Sequence, residues 1–138
     1  MWLTKEENAI KATVHAPLPN AIFLVLGSGK ATLPDVTAEG LVWASKDALI
    51  IGGTNDMDGN TTIHMAAQEP TQKLIPLAPQ VITCSSGKLV LETVYGEKLS
   101  HYEVPAGRAI IGIWVDDLRE PGIVHLQIVE HLDSVASS

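Results

Sequence analysis

The sequence predicts an all-β chain, an antiparallel two-sheet β-sandwich or flattened barrel of roughly eight to ten short strands. Three observations lead there. β-Branched residues crowd together in residues 108–115 (Ile110, Ile111, Ile113, Val115) and 122–132 (Ile123, Val124, Ile128, Val129), which suits a pleated, half-buried surface better than a helix. Turn-forming residues recur about every 8–12 positions, the spacing of a sandwich or barrel. No segment keeps a helical period over three turns, so the crossover helices that a parallel sheet needs are missing.

Residues 10–15 alternate apolar and polar, the two-residue period of a strand with one wet face. Pro17-Leu18-Pro19-Asn20 breaks that strand, and residues 21–26 follow as a continuous apolar run ending at Gly27-Ser28-Gly29-Lys30. Residues 32–40 contain Pro34-Asp35 with an acid behind it, which predicts a single helical turn. The strand pattern resumes at Leu41-Val42-Trp43-Ala44. Residues 48–51 and 61–67 flank Gly52 to Asn60, whose Gly and Asp-Gly residues suit a hairpin loop, so these two segments are expected to pair antiparallel.

Residues 68–77 hold Pro70 and Pro76 and read as a loop or edge strand, because proline cannot donate to a central ladder. Residues 80–84 and 88–94 bracket the turn Ser85-Ser86-Gly87-Lys88. Residues 98–104, the turn Pro105-Ala106-Gly107, and residues 108–115 and 122–132 complete the chain, with a polar, expendable tail at 133–138. Trp43 and Trp114 sit in apolar strand patterns and are expected as core anchors on facing strands.

At 138 residues the chain fits one β-sandwich domain spanning 1–138. It is 46% hydrophobic, too apolar to be disordered, yet lacks the run of about 20 apolar residues that a membrane helix needs. Sixteen acids against nine bases leave a net charge of −7, which repels nucleic acid and favours a basic protein partner while also serving solubility. The N-terminal residues 1–7 lack a basic region leading into an apolar one, so a cytoplasmic location is expected. Cys84 is the single cysteine, which rules out an intramolecular disulfide.

No motif supplies a complete chemical site. Gly27-Ser28-Gly29-Lys30 has Leu24 where a phosphate-binding loop needs its first Gly and Ala31 where it needs Ser or Thr. Asp56-Met57-Asp58-Gly59-Asn60 gathers oxygen ligands, but Ala67 stands where a calcium loop of the EF-hand type places its bidentate Glu. Five histidines (His15, His64, His101, His125, His131) show no His-x-His or His-x-x-x-His spacing, and a site would need His64, His101 and His125 to converge from separate strands. Cys84 ends a strand with no helix N-terminus to activate it. Asp116-Asp117 with Glu120 could pair as catalytic carboxylates, but their segment has the composition of a polar hairpin loop. No cofactor, metal or nucleotide is expected.

Several stretches carry a family likeness. They are Glu39-Gly40-Leu41-Val42-Trp43; Ala48-Leu49-Ile50-Ile51-Gly52; Ile75-Pro76-Leu77 ahead of Ser86-Gly87-Lys88 and its apolar strand; and the stretch from Glu97 to Ile110 around Pro105-Ala106-Gly107. In this order they resemble the competence protein J group, small bacterial β-sandwich proteins that inhibit a DNA-entry nuclease. Ala109 replaces that group's usual aromatic after the Gly of the Pro-x-Gly turn. The resemblance implies a β-sandwich and an inhibitory role, and it assigns no inhibitory residue.

Three readings of function follow. The first is a non-enzymatic protein-binding module, an inhibitor or immunity-type partner of a basic enzyme such as a nuclease or toxin. Its candidate contacts are the loop acids Asp35, Glu39, Asp56, Asp58, Asp116, Asp117 and Glu120, which would steer a basic partner electrostatically. The second is a small-molecule-binding β-barrel or metal-dependent enzyme with a His/Trp pocket. The third is a homo-oligomeric structural module whose long apolar strands are covered by a second subunit.

Overall fold

The computed structural model describes residues 10–37 and 39–131. The stretch read for a signal sequence, residues 1–7, and the tail 133–138 lie outside the described residues. Among the described residues there are ten strands: β1 (Ile10–Ala16), β2 (Ile22–Leu26), β3 (Val42–Ala44), β4 (Ala48–Gly52), β5 (Thr61–Ala66), β6 (Ile75–Cys84), β7 (Lys88–Thr93), β8 (Lys98–Glu103), β9 (Gly107–Val115) and β10 (Ile123–His131). They form two five-stranded sheets, one ordered β1-β5-β10-β9-β6 and the other β3-β4-β2-β7-β8. Among the described residues neither sheet closes on itself, so the architecture is a two-sheet sandwich and not a closed barrel. Every pairing is antiparallel except that of β10 with β5, which run parallel.

Alternation along the strands builds the core. β9 turns Ala109, Ile111, Ile113 and Val115 inward, and β10 adds Val124, Leu126 and Ile128. Phe23, Val25, Leu49, Ile51, Leu89 and Leu91 meet them from the other sheet, all fully buried. Burying an aliphatic side chain of this kind contributes about 1.5–3 kcal/mol, so this inter-sheet layer is the main source of stability. Among the described residues no helix is long and apolar enough to cross a membrane.

Three expectations need correction. Residues 48–51 and 61–67 do not pair: β4 lies in one sheet and β5 in the other, so residues 53–60 cross between sheets instead of turning a hairpin. Loop composition signals a reversal but not which sheet receives the chain, and β5 finds β1 and β10 as neighbours. The helical turn proposed at 32–40 is absent from the described part of that loop. Asp47 accepts from the Thr32 N–H (2.9 Å) and Ser45 Oγ–H donates to the Thr32 carbonyl (2.5 Å), tying the loop start to the β3–β4 turn. A tight Pro-Asn turn forms earlier, at Pro19–Ala21: the Ala21 N–H donates to the Leu18 carbonyl (2.9 Å), and Asn20 and Ala21 take positive φ, outside helical backbone.

The third correction concerns the tryptophans. Trp43 and Trp114 are half-buried on the outer faces of the two sheets rather than between them. Strand alternation forces this, since Ile113 and Val115 take the inward positions flanking Trp114. Gly112, two residues earlier on the same face, leaves room for the indole: a Cβ there would come within 2.8 Å of the Trp114 ring. The segment read as a loop or edge strand does become an edge strand from Ile75 onward, where Pro76 and Pro79 withhold N–H groups that would invite a further strand.

Candidate functional site

One end of the sandwich collects the ends of β4 and β9 and the starts of β2, β5 and β10. Three loops meet there. Residues 53–60 leave β4, residues 116–122 join β9 to β10, and residues 33–41 run back toward β3. They border an open groove of about 480 Å³ whose lining includes Ile22, Val36, Leu41, Trp43, Asp58 and Glu120. These three stretches hold seven carboxylates against one cation, Arg119, and so six of the seven net negative charges of the chain. Sequence distance hid this convergence, because nothing local to one loop announces the other two.

Hydrogen bonds lock the loops together. Glu120 Oε1 accepts from the Asn55 N–H (3.2 Å), and Thr54 Oγ1–H donates to the Pro121 carbonyl (2.9 Å), joining two of them. Trp43 Nε1–H donates to Thr37 Oγ1 (3.1 Å), and Gly40 packs against the same indole, fixing the third. The groove floor is set by Asn20 and Ala21, held by bonds from the Ala21 N–H to the Leu18 carbonyl and from the Gly53 N–H to the Ala21 carbonyl.

All seven acids proposed as contacts are exposed, but they divide by local duty. Asp116 Oδ1 accepts from the Gly122 and Ile123 N–H groups (2.9 and 3.0 Å), and Asp117 Oδ1 from those of Arg119 and Glu120 (2.8 and 3.0 Å). The bonds from Glu120 and Arg119 hold the Asp117 carboxyl below its ordinary pKa. These two acids shape their own loop, and Glu120 ties it to the loop of Asn55. The side chains of Asp35, Glu39, Asp56 and Asp58 make no hydrogen bond or ion pair among the described residues. Asp58 lines the groove directly, whereas Asp35 and Glu39 flank its lining residues Val36 and Gly40. Sequence reasoning passed over Val36, Met57, Leu118 and Arg119; apolar residues set among loop acids were the signal available.

A second cluster lies on the outer face of the first sheet. Register places Thr13, His64, His125, Trp114 and Pro76 in one row across all five strands. The rings of His64 and His125 are 6.1 Å apart, and Trp114 meets His125 edge-on at 5.9 Å. His101 is on β8 of the other sheet, so only two of the three histidines that were considered together converge. His125 is buried, with Nε2–H donating to the Gln68 carbonyl (2.9 Å), and His64 Nδ1 shares a 3.0 Å hydrogen bond with Thr13 Oγ1. Burial lowers both pKa values; the neighbouring His125 lowers that of His64 further, while the Gln68 carbonyl opposes the shift at His125. No group of three metal-ligating side chains occurs among the described residues. The row reads as a packed surface that fixes strand register.

No protein-family profile matches the chain, and no curated protein matches it. Two solved structures do. ComJ from Bacillus subtilis, described as an inhibitor of the DNA-degrading activity of NucA, superposes with a TM-score of 0.64 at 12% identity, covering 88% of this chain and 97% of ComJ. The protein of crocagin biosynthetic gene J gives a TM-score of 0.51 at 13% identity, covering 89% of this chain and 97% of its own. The resemblance to the competence protein J group therefore holds at the level of fold.

Proposed function

We propose that this chain is a non-enzymatic protein-binding domain, cytoplasmic and spanning residues 1–138, whose acidic end captures a basic enzyme such as a nuclease and blocks it. The observation that carries this reading is the gathering of six of seven net charges into three loops around one groove. A concentrated field of one sign raises the encounter rate with a partner of the other and excludes nucleic acid from the same surface. The shared fold with ComJ, an inhibitor of the DNA-degrading activity of NucA, supports the choice of partner class.

The test is an inhibition assay. Purified protein is added to a basic DNA-degrading nuclease from its own host, and DNA cleavage is followed as salt is raised. Cleavage is expected to stop at stoichiometric protein, with an on-rate that falls steeply with salt because exposed charges are screened beyond about 8–10 Å. Full cleavage at excess protein, or an on-rate indifferent to salt, would refute the proposal.

A further inference from the structure

The three acidic loops also carry apolar side chains that charge alone does not require. Met57 is 88% exposed between Asp56 and Asp58, Leu118 is 57% exposed after Asp117, and Val36 is 49% exposed after Asp35. Each sits beside a residue that lines the groove or lines it itself, and Ala21, Ile22, Leu41 and Trp43 give that groove an apolar floor. Large apolar side chains held out in water next to an apolar concavity mark a binding surface.

We infer that this end takes a polypeptide segment in which arginine or lysine flanks a bulky apolar residue. The apolar residue seats in the groove against Trp43, under Met57, Leu118 and Val36, and the cations on either side meet Asp58, Glu120 and their neighbours. This rests on the protein-binding reading above and divides the labour within it. The carboxylates govern the rate of arrival, and the apolar tips govern how long the segment stays. A second copy of this chain is a poor occupant, because two such ends would set carboxylates against carboxylates.

A blocked pentapeptide amide, glycine-arginine-leucine-arginine-glycine, is titrated into isotope-labelled full-length protein and followed by NMR to about 10 mM, enough for a millimolar Kd. Controls replace its leucine by serine or its arginines by glutamates. Shifts are expected at the Met57 and Leu118 methyl groups, the Trp43 indole N–H and the amides of the three loops. The serine peptide should bind on the order of 10-fold more weakly, and Met57→Ala several-fold more weakly, since each removes apolar contact area. The glutamate peptide should not bind.

If the loop amides respond equally to the leucine and serine peptides while both methyl groups stay unmoved, the apolar seat is wrong and the charge reading survives. If no peptide produces a shift, this inference falls, and the nuclease assay decides the charge reading separately. A concentration-dependent dimer in sedimentation that Met57→Asp abolishes would make a second copy the occupant and overturn the inference.

Discussion

The two ends of the sandwich use polar groups in opposite ways. At the end away from the groove, the Gly27 N–H donates to the Asp47 carbonyl (2.9 Å), the Thr83 N–H to the Lys46 carbonyl (2.6 Å), and the Ser85 N–H to the Gly27 carbonyl (3.0 Å). Ser86 Oγ–H adds a bond to the Gly27 carbonyl (3.0 Å), and Asp47 Oδ1 accepts from the Thr32 N–H. These bonds sew the last residues of β6, in one sheet, to the turns of the other. At the groove end, four of seven acids have no such internal duty. Polar groups satisfied inside the fold stabilise it, while those left facing water cost the fold nothing and remain available to a partner.

Gly27→Val should have the largest effect on this comparison. A Cβ at Gly27 would run into the Thr83 carbonyl, and β6 cannot yield without losing this knot of hydrogen bonds between the sheets. A loss of about 3 kcal/mol or more is expected in urea or thermal unfolding. A variant within about 0.5 kcal/mol of the parent would mean that the knot is not holding the sheets together.

Ser45→Ala and Asp116→Ala sharpen the contrast within each end. Ser45 Oγ accepts from the Ala48 N–H (3.1 Å) and donates to the Thr32 carbonyl. Asp116 holds the Gly122 and Ile123 N–H groups. Each replacement should cost about 1–2 kcal/mol of stability. Asp116 therefore belongs functionally with the knot, despite its place among the acids, and a neutral Asp116→Ala would return it to the docking surface.

Much of the sandwich was legible because strand alternation is a local signal. The β9 and β10 segments announced themselves through Ile110 to Val115 and Ile123 to Val129. Pairing was less legible: the segments starting at Ala48 and Thr61 look like the two arms of one hairpin, yet they lie in different sheets, which no local signal announces. The loop acids were readable one by one as exposed loop carboxylates. Their convergence was not, because it depends on the sheet order that sets residues 36, 58 and 120 around one groove. Trp114 shows the same limit, since its apolar neighbours suggested core while alternation put it outside over Gly112.

Acid should probe the region between the ends. The native state favours neutral His64 and His125, chiefly through burial, whereas the unfolded chain takes up protons once the pH falls below about 6.5. The unfolded state then binds more protons, so stability is full above that pH and declines as pH drops below it. Thermal midpoints measured from pH 7.5 to 5 should fall, and the fall should be shallower in His64→Gln. Identical slopes in parent and variant would show that the pair does not govern the acid response.

The smallest expected effect on the fold is the most telling for the comparison. Asp56 and Asp58 flank Met57 on an exposed loop, and their carboxylates bond to nothing among the described residues. Asp56→Asn with Asp58→Asn keeps side-chain shape and removes two negative charges, so unfolding stability should stay within about 0.5 kcal/mol. Capture of a basic nuclease by the same double variant should nevertheless slow, with a flatter salt dependence, because steering depends on summed charge while stability depends on local bonds. A double variant that unfolds more easily would show these acids to be structural, and one that captures at the parental rate at low salt would leave the groove end without its electrostatic role.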